Sequence, residues 1–213
     1  MMVKSKICQV CGREYFRQYC EFCNRSNKWE KLIYPKLLDK LTPRIKSIIG
    51  QYENTMYDAR KQGYFLFGPV GSGKTILAAK ILLTTLKNAY VDTGLNLTWA
   101  FISVPDLFLD IRSSFEDGQE LSEKQLIEKY SQLNLLVLDD LGVEKVSQWV
   151  YQVLYLIINN RYENMKPIII TSNYTLPDLV KHLNDRRITS RIKETCLLVS
   201  LENEDLRHYE EAK

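Results

Sequence analysis

No run of apolar residues in this 213-residue chain approaches the ~18 needed to cross a bilayer, which excludes a membrane-spanning helix. The opening MMVKSKICQV has no continuous apolar stretch behind its lysines, so no secretory signal is expected and the cytoplasm is the expected compartment. No internal repeat and no low-complexity tract is visible in the sequence. A charge excess is also missing: 29 Lys and Arg face 26 Asp and Glu, and a net +3 is too modest to argue for strong duplex binding. Cysteine is nearly absent from the body of the chain, where Cys196 stands alone in the apolar stretch TCLLVS and reads as a buried core residue. What is present is ordinary for a soluble protein, 45% hydrophobic and 26% charged, in a length that allows one well-packed domain plus a small appendage.

The small net charge is unevenly spread. Residues 1–62 carry 13 basic and 6 acidic side chains, a balance of +7, while residues 63–213 carry 16 and 20, a balance of −4. A basic front suits an acidic partner surface or nucleic acid, and equally suits a solubilising face.

That front opens with CQVCGREYFRQYCEFC, in which Cys8, Cys11, Cys20 and Cys23 form two CxxC pairs eight residues apart. In a reducing compartment disulfides do not persist, and a redox role would need only one pair in a thioredoxin-like setting. Two pairs at this spacing match a tetrahedral Zn²⁺ site with four thiolates. So short a span cannot build its own core, so the metal would supply the stability of a module over residues 1–27. Aromatic and basic residues lie among the cysteines (Tyr15, Phe16, Tyr19, Phe22, Arg13, Arg17, Arg25), a mix suited to docking on protein or to stacking on nucleic acid. Residues 28–62 read as a helical linker broken by Pro35 and Pro43.

From Gly63 the pattern becomes alternating strands and helices. GYFLFG, LTWAFIS, LNLLVLDD, PIIITSN and TCLLVSL read as five strands, with helices over KTILAAKILLTTLKNAY, PDLFLDIRSSF, SEKQLIEKYSQL, VSQWVYQVLYLIINNRYENM, LPDLVKHL, DRRITSRIKE and ENEDLRHYEEA. The predicted architecture is α/β, a five-stranded parallel sheet between helices over residues 63–213.

Between the first strand and its helix lies GPVGSGKT, residues 68–75, a full GxxxxGK[ST] phosphate loop. In the loop Gly68, Pro69, Val70, Gly71, Ser72 and Gly73 the glycines let the backbone curl so that several N–H groups converge on one anion, and the following helix adds the positive end of its dipole. Lys74 would reach the β- and γ-phosphates of ATP as a point charge, and Thr75 would offer its hydroxyl to Mg²⁺. The strand LLVLDD ends on two acids: Asp139 suits the magnesium ion and Asp140 the polarisation of an attacking water. Asn173, closing the fourth strand in TSN, can orient that water.

GPVGSGKT, LLVLDDLG, IIITSNY and SRI, in that order, resemble an AAA+ ATPase, and DDLG with a long helix and TSNY narrows the likeness to the DnaC/DnaI/IstB branch of replicative helicase loaders and transposase helper ATPases. The resemblance covers residues 63–213. It implies that Arg191 in SRI is the arginine inserted into a neighbour's ATP site, with Arg186 and Arg187 as weaker candidates, and that Arg207 in EDLRHY contacts the γ-phosphate as a second sensor. A finger acting in trans implies self-association into a ring or filament. Only six residues follow Arg207, so no separate lid domain is expected. The segment between the second and third strands resembles the helical insertion by which loaders and initiators contact single-stranded DNA. Arg112 and Phe115, three apart on one helical face, together with Ser147 and Trp149, are the expected DNA contacts, although aromatics at this spacing also suit a core.

Three functional readings follow. The first is a loader that holds a hexameric DnaB-type helicase through its cysteine-rich front and assists its loading onto single-stranded DNA, because transposase helpers generally lack such a module. The second is an IstB-like transposition helper ATPase that oligomerises on DNA. The third is a zinc-ribbon nucleic-acid binder whose phosphate loop is only a switch.

Overall fold

A computed structural model describes residues 6–7, 14–15, 59–60, 62–94, 97–114 and 121–202. The chain divides into two compact units, residues 1–46 and 47–213. In the first, β1 (Lys6–Ile7) pairs antiparallel with β2 (Glu14–Tyr15), Lys6 opposite Tyr15 and Ile7 opposite Glu14. The pair flanks the first CxxC in sequence. Cys8, Cys11, Cys20 and Cys23 lie outside the described residues, as do Phe115, Arg207, the 28–58 stretch of the linker and the expected terminal helix.

The second unit is built on β3 (Gly63–Phe67), β4 (Trp99–Ser103), β5 (Leu135–Leu141), β6 (Ile168–Ser172) and β7 (Cys196–Ser200). Every pairing in this sheet is parallel, in the order β4-β5-β6-β3-β7. The expected five-stranded parallel sheet is therefore present. Its helices are α1 (Lys74–Thr93), α2 (Val104–Ser113), α3 (Glu123–Gln132), α4 (Gln148–Glu163), α5 (Leu176–Leu183) and α6 (Arg187–Thr195). Among the described residues no helix is long and apolar enough to cross a membrane.

Local chemistry explains where most helices begin. Ser103, Ser122, Ser147 and Thr175 each accept a backbone N–H three residues on, at the starts of α2, α3, α4 and α5, and Ser122 forms a full capping box with Gln125. The helix carrying Arg112 ends at Ser113, with Ser114 as its cap. Ser113 and Ser114 hydroxyls bond back to the carbonyls of Asp110 and Ile111, a local alternative to another helical turn.

The core lies on both faces of the sheet, as the long apolar strands require. Leu135, Leu136, Val137 and Leu138 of β5 are fully buried, and Phe65, Ile170, Leu107, Ile111, Leu154 and Ile157 pack in the same cluster or beside it. Cys196 is buried as expected; burial pushes its thiol pKa up to about 12, which makes it chemically inert. One core member is a cation. Arg161, 1% exposed on α4, donates from Nη1 to the carbonyls of Tyr130, Ser131 and Leu133 at 2.9, 3.1 and 3.0 Å, and from Nη2 to Pro167 at 2.5 Å. It thereby ties the end of α3 to the starts of β5 and β6.

Candidate nucleotide site

Strand β6 sits between β3, which feeds the phosphate loop, and β5, which ends on the two acids. The carboxyl ends of β3, β5 and β6 therefore converge on one edge of the sheet, the edge at which parallel α/β folds bind ligands.

The loop is shaped by its glycines. Gly68 has φ 149°, and a Cβ there would lie 2.1 Å from the carbonyl oxygen of Leu201, so any side chain would push the loop off the residue that follows β7. Gly73 opens α1 at φ 93° with no side-chain cap and no acid in the first turn, leaving the helix N-terminus available to an anion. Lys74 is 5% exposed and donates from Nζ to the carbonyls of Gly68 at 2.9 Å and Pro69 at 2.7 Å, so its cation lies inside the loop. Ser72 is fully buried, and its hydroxyl has no hydrogen-bond partner among the described residues. An uncapped helix N-terminus, a buried ammonium and an orphaned hydroxyl in one loop fit a polyphosphate.

The acids meet this loop directly. Thr75 Oγ1 donates to Asp139 Oδ1 at 3.0 Å, and Thr171 Oγ1 donates to the same oxygen at 2.6 Å. A hydroxyl and a carboxylate in contact form the hard oxygen donor set that Mg²⁺ prefers. Asp139 is 4% exposed, and burial is the main cause raising its pKa to about 6, with the neighbouring charge of Asp140 adding to it. The hydrogen bonds from Thr171 and Thr75 and the charge of Lys74 pull the other way. A cation at this place would remove the penalty on the carboxylate.

Asp140 takes φ 61°, a left-handed conformation unusual for a residue other than glycine, and its N–H donates to Thr171 Oγ1 at 2.8 Å. Asn173 is exposed immediately after β6, the strand that separates loop from acids. Lys74, Thr75, Asp139 and Asp140 are thus brought together as the sequence suggests, with Asn173 at the tip of the intervening strand. Thr171 is the member that sequence reading missed, although a hydroxyl two residues before Asn173 was its visible sign.

The other expected residues lie elsewhere. Arg191 rests on α4: its Nε donates to Asn159 Oδ1 at 2.5 Å, and its guanidinium sits 4.8 Å from the ring centre of Tyr162. Arg187 is paired with Asp185 at 2.9 Å and covers the rings of Tyr151 and Tyr155, while Arg186 is the residue before α6. Arg112 stacks 4.8 Å over Trp149, whose indole N–H donates to Glu123 at 2.7 Å and whose ring packs against Phe108. Ser147 caps α4. The predicted DNA residues Arg112 and Trp149 therefore form one patch with Glu123, and the Ser147 hydroxyl has a structural partner.

Comparison with known proteins places these features. The model of the family described as IstB-like ATP binding protein matches residues 44–213. The phage-like element PBSX protein XkdC of Bacillus subtilis (strain 168) is 30% identical over 156 residues, 71% of this chain and 53% of that protein. The replicative helicase loader DnaC of Escherichia coli (strain K12) is 26% identical over 133 residues, 61% of this chain and 50% of that protein. The chain thus spans about half the length of these relatives. A crystal structure of the DnaC helicase loader is similar with TM-score 0.58 and 26% identity, covering 81% of this chain and 99% of that one. The sheet and phosphate loop are those of the α/β AAA+ P-loop fold. Because the matched span takes in the loop, the acid strand and the strand between them, the chain belongs to the family of IstB-like ATP binding proteins.

Proposed function

We propose that this protein is a Mg²⁺-dependent ATPase that binds a replicative DnaB-type helicase and assists its loading onto single-stranded DNA. The observation that carries the ATPase reading is the contact between Thr75 of the phosphate loop and Asp139 of the acid strand, with Lys74 buried in the loop beside them. Lys74 and the start of α1 hold the phosphates, Thr75 and Asp139 hold the metal, and Asp140 and Asn173 orient the attacking water. When bound, Mg²⁺ supplies charge neutralisation on the phosphate oxygens. Arg191, on α6, completes a neighbouring protomer's site in a ring or filament, and Arg207 contributes as second sensor.

The loader reading rests on the four cysteines ahead of the ATPase and on the likeness to a replicative helicase loader. Cys8, Cys11, Cys20 and Cys23 hold Zn²⁺, and the module over residues 1–27 docks on the helicase. Single-stranded DNA runs past Arg112, Phe115 and Trp149, and the protein acts in the cytoplasm. Co-purification with the host's replicative helicase, with zinc measured on the same sample, tests this. Stoichiometric zinc and a complex lost on deleting residues 1–27 are expected; a complex that survives the deletion removes the docking role. The family assignment favours a second reading, an IstB-like transposition helper, which predicts no helicase capture and ATP-dependent oligomers on duplex DNA.

A further inference from the structure

The ladder between β5 and β6 is interrupted where the chemistry lies. Leu138 pairs with Ile170 and Leu141 with Ser172, so two residues of β5, Asp139 and Asp140, stand opposite the single residue Thr171. A bulge of this kind leaves backbone groups without ladder partners and turns the side chains that follow. We propose that Thr171 is a positioning residue for hydrolysis, a hydroxyl latch that closes this bulge and sets both acids with one side chain. This rests on the ATPase reading above.

Thr171 Oγ1 has one proton and lone pairs to spare, and the geometry uses both. The proton goes to Asp139 Oδ1 at 2.6 Å, and a lone pair accepts the Asp140 N–H at 2.8 Å. Because Thr171 is fully buried, no water substitutes for it. The bond to Asp139 fixes the carboxylate that Thr75 also touches, which sets where a metal-binding oxygen lies. The bond to the Asp140 amide holds that residue at φ 61°, a left-handed conformation that persists only where surroundings enforce it. Ser172 continues the stitch, donating to the carbonyl of Leu141 at 2.6 Å. Asn173 follows immediately after β6, so the latch for the acids lies two residues before the side chain proposed to orient the water.

The alternative is that Thr171 only fills a bulge. Thr171→Val keeps shape and removes the hydroxyl, and Thr171→Ser restores it; Thr171→Ala repeats the test should the valine variant fail to fold. Two readouts are taken on the full chain: hydrogen exchange of the Asp140 amide without nucleotide, and kcat and KM for Mg-ATP against a Lys74→Ala background. The latch predicts that Thr171→Val exchanges the Asp140 amide about tenfold faster and loses kcat on the order of 10- to 100-fold, with KM within about threefold of wild type. Thr171→Ser stays near wild type in both. Unchanged exchange and turnover in Thr171→Val overturns the proposal. So does a Thr171→Ser variant as damaged as the valine, or a parallel fall in kcat, nucleotide affinity and melting temperature. A wild type with no turnover above Lys74→Ala overturns the ATPase reading, and any catalytic role of Thr171 with it; turnover that survives Thr171→Val overturns the latch alone.

Discussion

At the amino ends of β5 and β6 a buried cation, Arg161, meets four backbone carbonyls. At the carboxyl ends of the same strands a buried carboxylate, Asp139, meets two hydroxyls. Both are ionisable groups buried in the core and held by hydrogen bonds to neutral groups, with the charge of Lys74 also acting on Asp139. They differ in what their partners can do. Carbonyls of α3 and of the strand starts are fixed by secondary structure, so the guanidinium acts as a permanent clamp and burial lowers its pKa only to about 9, leaving it charged at neutral pH. At the other end the Thr75 hydroxyl can rotate toward a ligand while Thr171 stays as the fixed partner, so the carboxylate can exchange one of its two contacts. One end of the strand pair is built for rigidity, the other for chemistry.

Arg161→Met puts the largest strain on that contrast. It strands the carbonyls of Tyr130, Ser131, Leu133 and Pro167, and a loss on the order of 3 kcal/mol or more is expected in urea unfolding. A loss below about 1 kcal/mol would mean the amino end is held by packing alone.

Asp140→Asn and Lys74→Ala should do the reverse. ATP turnover should fall on the order of 100-fold or more while the melting temperature changes little. A variant that loses turnover only because it unfolds would erase the distinction between the two ends.

Asp139→Asn sharpens it through pH. An ordinary carboxylate loses its proton near pH 4, whereas Asp139 retains its own to about 6 because it is buried. Between those values the native state binds more protons than the unfolded chain, so the wild type loses stability as pH rises through this window. The asparagine variant should be more stable than wild type above pH 6, by up to roughly 2 to 3 kcal/mol without metal, and no different below pH 4. Thermal melts at pH 4 and 7.5 decide it; an equal gain at both would deny that the carboxylate's charge is the cause.

Arg191→Ala should have the smallest effect on the isolated chain, below about 1 kcal/mol, because its guanidinium rests on the partly exposed rings of α4. Its turnover should fall in the assembly and return in part on mixing with Lys74→Ala, since each variant supplies what the other lacks.

The phosphate loop was legible because its chemistry is local: glycines for the backbone, Lys74 and Thr75 at fixed offsets, a strand before and a helix after. The acids at the end of an apolar strand were legible for the same reason. Buried strands and capped helices announce themselves through periodicity and Ser or Thr at their starts, as with Ser122 and Gln125. Arg161 could not be recognised, because its partners lie on α3 and before β6 and an arginine in a long amphipathic helix looks like a surface charge. The Arg112–Trp149 stack was half visible: both residues were singled out, but their contact joins α2 to α4.

Residue order alone settles that a nucleotide-binding loop, two acids and an asparagine fall at strand ends, since these depend on neighbours within a few positions along the chain. Strand order is another matter. That β6 lies between β3 and β5, that β5 bulges there, and that Thr171 becomes the one residue opposite both acids follow from how strands pair across the sheet. Pairing joins residues about 30 positions apart, as Thr171 with Asp139, and no local pattern encodes which apolar strand will lie beside which.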